Sequence, residues 1–352
     1  MKKLQIAVCM VLTSILALLC CSCNNKGAKN EGAADDTAAF VQFKNDEFKS
    51  LVAKTLDKDA STLTAEDLGD ITALDVYYYA ERIENTMQYK DVWSITVKKK
   101  GFNEVFDIYY NTPKEEREGL ESPENYYENV QLEKFEGYED IKLLTGLTEI
   151  SLNSEYKIID IDPVKYFKNI TGLRELSIYN YVVSDLTEIS KFTELTNLSV
   201  GLDQKQVPDG MDVTYIGDIS PLANLTKLES LSLSGNHISD LTPIVSLDSL
   251  KDLSVTHAAL GDISPVANMK NLESVNFFFN GIENVAPLTA IPTLKYIHLD
   301  YNYIQDLTPF ASLDPNVVEY VSVDMNGFQD AEPLRHLGTS KVNLGYDPAW
   351  EE

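Results

Sequence analysis

The sequence predicts an α/β solenoid in which short parallel strands stack side by side into one concave sheet. Two observations lead to this prediction. A proline recurs every 22 residues through the second half of the chain, and the same spacing of apolar residues precedes each later copy. Self-similarity at a fixed period is the mark of a stacked repeat architecture. The recurring prolines are Pro221, Pro243, Pro265, Pro287 and Pro309.

The repeat frame is clearest in one copy, which reads Leu228-x-x-Leu231-x-Leu233-x-x-Asn236-x-Ile238-x-Asp240-Leu241-x-Pro243. Three further copies follow it, and they end near Asp330. A period of about 20–29 residues with L-x-x-L-x-L-x-x-N is the pattern of a leucine-rich repeat. The frame therefore predicts leucine-rich repeats over residues 131–345.

The residue types within each repeat explain how it should fold. Leu231-x-Leu233 alternates with period two, so it predicts a short strand with both leucines facing inward. Such a strand must pair with the strand of the next repeat. Asn236 falls at the turn, where its amide can bond backbone groups. Pro243 starts a return arm too short for a full helix, so we expect 3₁₀ pieces at most.

The frame N-x-I-x-D-[IL]-x-P-[LIV]-x-x-L-x-x-L-x-x-L-x-L resembles the repeats of internalin-type bacterial proteins. The resemblance extends over roughly residues 40–330, with interruptions. It implies a bacterial surface protein whose concave face binds a ligand, and it names no particular ligand.

Composition excludes several classes of function. The formal net charge is −26, which argues against nucleic-acid binding and against electrostatic docking on anionic lipid. Such acidity more often just keeps a protein soluble. The cysteines are Cys9, Cys20, Cys21 and Cys23, so the later chain can form no disulfide, thiol nucleophile or cysteine metal site. The four histidines show no metal-binding spacing, and we predict no metal and no cofactor.

Residues 1–23 are predicted to be a lipoprotein signal peptide, because two lysines precede a short apolar run that ends in cysteines. Ser22-Cys23 fits best as the cleavage junction, which makes Cys23 the predicted lipidated residue. Cys20 stands three residues before Cys23, where leucine is usual, so the choice of cysteine stays open. Cys21, with Leu18 three residues before it, is the alternative. An ordinary cleaved signal peptide is the competing interpretation. Residues 24–39 are small and polar and predict a flexible tether.

Residues 40–76 are predicted to form a helical amino-terminal cap and the first strand. Phe48, Leu51 and Val52 recur at helical spacing, and Thr64-x-x-Asp67 predicts a capped second helix. A solenoid needs such a cap, because its first repeat would otherwise expose an apolar end. The pattern also resembles the helical cap of internalin-type proteins.

Residues 77–130 are interpreted as an inserted α+β segment. We expect a helical stretch after the tyrosines at 77–79, then a hairpin of 93–97 with 105–109 that turns near Lys98–Gly101. The segment is either a tyrosine-rich flap that contacts ligand or a packed decoration. Packing is favoured, because clustered aromatic residues usually form a local core.

The later repeats contain departures from the frame. Residues 204–212 are expected to protrude as a loop, because 11 residues separate Val200 from Asp218 beyond what the frame allows. Val342-x-Leu344 predicts a last strand, and residues 346–352 a minimal carboxyl-terminal closure. Other residues replace the frame Asn at four places, which are Glu155, Tyr181, Asp203 and Ala258.

The predicted ligand-binding residues lie on the concave face of the last repeats, where aromatic and polar side chains replace small ones. Aromatic residues on a rigid sheet are typical of a recognition surface, although they can also be stabilising cross-strand pairs. Asp300 and Asp324 could share a cation, but two carboxylates without a ligand loop are weak evidence for a cation site. A solvated face is favoured. Four more aromatic residues lie past the strand ends, and we expect some of them to fill the core or the corners of the solenoid. They are Phe279, Tyr301, Tyr303 and Phe328. The predicted site residues are Phe278, Tyr296, His298, Asp300, Tyr320 and Asp324.

These observations predict a non-catalytic lipoprotein of the bacterial cell envelope that binds a protein or carbohydrate ligand. It would be a monomer, held to the membrane through its amino-terminal lipid only. One alternative is a cell-envelope enzyme with carboxylate chemistry in the insertion or the array. Another is a protein that organises other proteins of the envelope.

Overall fold

The computed structural model describes residues 40–82, 89–102, 120–122, 127–132, 138–183 and 185–345. Within these ranges all of the strands join one twelve-stranded sheet, with two short α-helices at its amino-terminal end. The predicted signal peptide with Cys23, the tether and the closure at 346–352 lie outside the described residues.

The regular elements are short. The α-helices are α1 (Asp46–Thr55) and α2 (Ala65–Leu68). The strands are β1 (Ile71–Arg82), β2 (Tyr89–Lys99), β3 (Tyr127–Leu132), β4 (Glu149–Ser154), β5 (Glu175–Tyr179), β6 (Asn197–Gly201), β7 (Ser230–Ser234), β8 (Asp252–Thr256), β9 (Ser274–Asn276), β10 (Tyr296–His298), β11 (Tyr320–Ser322) and β12 (Val342–Asn343). The 3₁₀ helices are Ala60–Thr62, Tyr138–Leu143, Val164–Tyr166, Ile189–Lys191, Gln204–Gln206, Ser220–Asn224, Thr242–Ile244, Ser264–Asn268, Ala286–Ala290, Thr308–Ser312, Glu332–Leu337 and Thr339–Lys341.

The sheet follows chain order from β4 to β12, and all of these neighbours are parallel. Beyond β4 lies β1, which is parallel to it. Then comes β2, antiparallel to β1, and at the edge β3, antiparallel to β2. The return arms between parallel strands contain only 3₁₀ turns. The predicted leucine-rich repeat solenoid is therefore confirmed.

Each repeat buries the residues that the frame predicts. In β7, Leu231 and Leu233 are fully buried, while the serines between and beside them are half-exposed. The same alternation holds along β4 and β5, and along β8 as far as Val255, and the inward apolar side chains join one continuous core. A proline in the first turn of most later 3₁₀ pieces fixes φ where no backbone donor is needed.

The frame asparagines form a ladder of hydrogen bonds at the corner of the solenoid. Asn302, which is buried, donates to the carbonyls of Phe277 and Leu299, both at 2.9 Å. Its side-chain oxygen accepts from the Ile282 N–H at 3.0 Å. The same three-way pattern recurs at Asn236, Asn280 and Asn326. The asparagine therefore links the corner of its own repeat to the repeat before it.

The amino-terminal end of the solenoid is covered by the predicted helical cap. α1 begins at Asn45, whose side chain accepts from the Phe48 N–H at 3.0 Å. α2 begins with a capping box between Thr64 and Asp67, as the sequence predicts. Phe48 and Val52 are fully buried, and they close the core at this end.

The helical stretch expected after Tyr79 is wrong, because β1 continues to Arg82. Val76 and Tyr78 are buried while Tyr77 and Tyr79 are half-exposed, a period of two that the antiparallel partner β2 supports. The predicted strand at 93–97 lies within β2, yet it pairs with β1 and β3. Its expected partner at 105–109 lies outside the described residues. Both sides of the strand at 93–97 are thus paired, with β1 and with β3.

The tyrosines of β1 pack within the sheet. The rings of Tyr78 and Trp93, on neighbouring strands, have centroids 5.0 Å apart. The Lys157 ammonium lies 4.0 Å from the Tyr78 ring centroid and pairs with Asp91 at 2.7 Å. In the described part of the chain, no helix is both long and apolar enough to cross a membrane.

One buried carboxyl group in the first return arm lacks a hydrogen-bond partner. Asp140 is 0 % exposed, and neither of its side-chain oxygens is hydrogen-bonded. Burial raises the pKa of Asp140 to about 8, against the smaller opposing effects of Lys142 and Lys44. Asp140 is therefore largely protonated in the folded protein at neutral pH.

Replacing this carboxyl group should change how stability depends on pH. Between the unfolded pKa of about 3.9 and the folded value of about 8, the folded state holds a proton that the unfolded state releases. Wild-type stability from this group therefore falls as pH rises through that window. We expect Asp140→Asn to gain stability relative to wild type with rising pH, as measured by denaturant unfolding. The exposed Asp209→Asn variant is the control, and its free energy of unfolding relative to wild type should not change with pH. If the value for Asp140→Asn is also independent of pH, the raised pKa of Asp140 is contradicted.

Candidate ligand-binding site

A surface pocket of about 680 Å³ opens at the carboxyl ends of the strands from β5 to β10. Its volume lies in the range of small-ligand sites, which is about 300–1,000 Å³. Aromatic residues from the later repeats line one side, and the loop that follows β6 contributes the other. The pocket spans five strand spacings, or about 24 Å at about 4.8 Å each.

The aromatic side of the pocket is formed by His257, Phe278, Phe279 and Tyr301, called here the aromatic cluster. The rings of His257 and Phe279 are nearly parallel, at 18°, with centroids 5.1 Å apart. Phe278 lies 5.2 Å from both His257 and Tyr301, and the Phe279 and Tyr301 centroids are 6.1 Å apart. Successive repeats thus place their rings in mutual contact.

An unusual backbone conformation directs three of these side chains. His257, Phe279 and Tyr301 have φ of 50°, 53° and 56°, in the left-handed region that bulky residues rarely adopt. Each N–H donates to a carbonyl of the following repeat, which are those of Phe278, Asp300 and Asp324 at 3.1, 3.0 and 2.9 Å. Backbone hydrogen bonds between repeats therefore hold the strained position in place.

Of this cluster only Phe278 is a predicted site residue, because sequence spacing does not separate exposed rings past the strand ends from corner filler. Phe279 and Tyr301 are instead 52 % and 42 % exposed. Tyr303 is exposed too, and only Phe328 of that group packs against the core. A signal was present, since Gly235 and Asn180 occupy the same left-handed position in other repeats. Bulky residues where glycine or asparagine fits best indicate a purpose other than stability.

The opposite side of the pocket comes from the insertion predicted at 204–212. The Gln204 amide nitrogen donates to the Gly235 carbonyl at 3.0 Å, which fixes the loop over the strand ends. Asp203 accepts from the Lys205 N–H at 3.0 Å. Buried Asn180, one residue before the frame position, donates to Ser154 at 2.8 Å and accepts from the Asp203 N–H at 2.7 Å. Asn180 thus links the preceding repeat to the loop that follows β6.

Three of the predicted site residues, Tyr296, His298 and Tyr320, form what is called here the face patch. In the register of β10 and β11, Tyr296 lies opposite Tyr320 and His298 opposite Ser322. The His298 and Tyr320 rings have centroids 5.2 Å apart. The Tyr296 hydroxyl donates to the Glu319 carboxylate, and this hydrogen bond raises the tyrosine pKa.

The other three predicted residues lie past the strand ends. Phe278 belongs to the aromatic cluster. It lies two residues past Asn276, which is paired with His298, and is therefore about 7 Å further along the strand direction. Asp300 accepts from the Ser322 hydroxyl and from the Asp324 N–H at 2.7 Å, and Asp324 accepts from the Met325 N–H at 2.7 Å. These carboxylates therefore order the turns. No group of three or more metal-ligating side chains occurs among the described residues.

Burial, followed by the nearby Lys205 ammonium, lowers the pKa of His257 from its ordinary value of 6.5. The imidazole is therefore neutral at pH 7, and it adds a flat uncharged ring to the cluster.

Comparison with known proteins agrees with this architecture. The leucine-rich repeat family model matches residues 227–247. The chain carries leucine-rich repeats. An internalin (inlF) from Listeria monocytogenes has the same fold, with a TM-score of 0.52 and 24 % identity over 85 % of this chain and 75 % of that one.

Two other solved structures show weaker likeness. Internalin C2 from Listeria monocytogenes aligns with a TM-score of 0.47 and 19 % identity, over 84 % of this chain and 92 % of that one. A leucine-rich repeat protein of Leptospira interrogans aligns with a TM-score of 0.36 and 19 % identity, over 60 % and 71 % of the respective chains. No curated protein matches.

The left-handed backbone at Phe279 predicts that the solenoid should tolerate loss of its ring. Left-handed backbone costs an L-residue about 1–2 kcal/mol, and asparagine adopts it more readily than phenylalanine does. We expect Phe279→Asn to melt at the wild-type temperature or above it, in thermal unfolding followed by circular dichroism. Phe277→Asn is the matched comparison, because Phe277 is 0 % exposed and should lose substantial stability. Equal destabilisation of both variants would mean that Phe279 is core filler.

Proposed function

We propose that this protein is a non-catalytic recognition protein that binds a ligand at the cell surface through the aromatic cluster and the adjoining face patch. The observation that carries the proposal is the exposure of Phe279 and Tyr301, 52 % and 42 %, beside a pocket of about 680 Å³. Exposed aromatic surface next to a pocket is a feature of interaction sites.

Cross-strand aromatic pairing that merely stabilises the sheet is the competing explanation. The face patch taken alone fits that explanation, since His298 packs against Tyr320 within the sheet. The aromatic cluster does not fit it, because its backbone is in the left-handed region and stability would favour glycine or asparagine there. Large rigid side chains on a fixed scaffold are the residues that dominate binding energy at interfaces.

Attachment to the envelope is the second part of the proposal. A lipid on Cys23 would anchor the chain, and residues 24–39 would let the solenoid stand off the membrane. Two lysines, a short apolar run and the Ser22-Cys23 junction support it.

The anchor is tested by labelling cells that express the full chain with a radioactive fatty acid. We expect label on the wild-type protein and on Cys21→Ser, and none on Cys23→Ser, because only a cysteine at the cleavage junction receives lipid. Label lost in Cys21→Ser and kept in Cys23→Ser would move the anchor to Cys21. Label on neither wild type nor variants would contradict lipidation.

No observation favours the enzyme alternative. Burial raises the pKa of Asp140, Asp75 and Asp162, yet none of the three lines the pocket. A catalytic acid or base has to reach its substrate, so these carboxyl groups do not form an active site with the aromatic cluster.

Ligand capture tests the function. The full chain, purified in detergent, is applied to arrays of glycans and of extracellular protein domains. We expect bound spots to be lost in a Phe279→Asn, Tyr301→Asn variant, since it removes exposed rings and not core. Tyr296→Ala, His298→Ala, Tyr320→Ala should weaken them if the ligand extends over the face patch.

Tyr303→Asn is the matched control, because Tyr303 is 65 % exposed and does not line the pocket. Its bound spots should equal those of wild type. Spots that persist in both site variants would place recognition elsewhere on the chain, and the proposal would fall.

A further inference from the structure

The pocket is lined by uncharged aromatic rings from successive repeats, of which Phe279 and Tyr301 are 52 % and 42 % exposed. His257 stacks on Phe279 with centroids 5.1 Å apart, and Tyr301 continues the aromatic surface on the next repeat. The face of an aromatic ring carries partial negative charge, so it attracts weakly positive C–H groups. A ligand with a flat C–H face fits such a surface.

The backbone around the pocket is closed to a peptide strand. The N–H groups of His257, Phe279 and Tyr301 are all engaged by carbonyls of the next repeat. The strands from β5 to β10 also have hydrogen-bonded neighbours on both sides. Strand addition requires an unpaired sheet edge. A peptide therefore cannot bind here by adding a strand to the sheet.

The polar side chains of the pocket are better placed to bind hydroxyl groups. In the part of the chain that the structure describes, the Lys205 ammonium makes no ion pair and the Gln204 amide oxygen accepts no hydrogen bond. The hydroxyls of Tyr179 and Tyr301 likewise have no protein partner there. The pocket thus presents both donors and acceptors without a concentrated charge.

The charges of the pocket disfavour an ionic ligand. Lys205 opposes a cation, and the neighbouring Asp203 opposes an anion, as does the net charge of −26. His257 is neutral at pH 7 because burial and Lys205 lower its pKa. Charge complementarity therefore favours an uncharged ligand.

Taken with the proposed function, on which this step rests, the geometry points to a neutral saccharide as the ligand. One sugar ring stacks on Phe279 and Tyr301, while hydroxyls of the sugars that follow it bond Lys205, Gln204 and Tyr179 along the pocket. The pocket spans about 24 Å at about 4.8 Å a strand, so it accommodates a short oligosaccharide rather than a single sugar.

Calorimetric titration of the full chain tests this assignment, in a detergent that has no sugar headgroup. The probes are the tetrasaccharides of cellulose, starch, xylan, chitin and β-1,3-glucan. We expect at least one to bind, with affinity at least tenfold lower in Phe279→Asn and in Tyr301→Asn. Lys205→Met should weaken binding several-fold, because it removes a hydrogen-bond donor. Tyr303→Asn should bind like wild type.

Choline, a heparin tetrasaccharide and a phenylalanine-rich peptide are the comparison ligands, and we expect none of them to compete. The saccharide assignment is overturned if no neutral tetrasaccharide binds at millimolar concentration, or if binding survives in both ring variants. It is also overturned if a comparison ligand displaces the saccharide. If the saccharides fail while array capture still requires Phe279 and Tyr301, the proposed function stands and its ligand is of another class.

Discussion

The frame asparagine at the corner of most later repeats is the interaction on which the rest of the solenoid depends. Asn302 satisfies two carbonyls and one N–H from two neighbouring repeats, at 2.9, 2.9 and 3.0 Å. Each such group would cost about 1–3 kcal/mol if it were buried unbonded. The corner therefore fixes where the strand ends and the return arm begins, and with it the register of the sheet.

The position just before the frame residue is left-handed in several repeats. At Asn180, Gly235, His257, Phe279 and Tyr301, the N–H of this residue donates to a carbonyl of the next repeat. Gly235 and Asn180 fill it at low cost, whereas His257, Phe279 and Tyr301 fill it with rings at a cost in strain. The same constraint that makes these residues poor for stability makes them good for recognition, because their rings are rigidly positioned and exposed.

The sequence predicts the fold well because a 22-residue period depends only on spacing, and spacing determines which side chains face the core. It predicts the site less well. Exposure of Phe279 and Tyr301 follows from a positive φ, which apolar spacing does not reveal. The length of β1 was missed because its partner β2 is antiparallel and lies outside the repeat pattern. The unpartnered Asp140 depends on long-range packing, which no local pattern records.

The two ends of the strands differ in charge, and the proposed binding site lies at the uncharged end. Just before β8 and β10, Lys251 pairs with Glu229 and Lys295 with Glu273, one repeat apart, so charge there is compensated within the protein. Such exposed pairs add little stability, but they compensate these four charges within the protein. At the carboxyl ends of the same strands, uncharged rings replace ion pairs. For the proposed site, contact and desolvation therefore contribute more to binding than long-range attraction does.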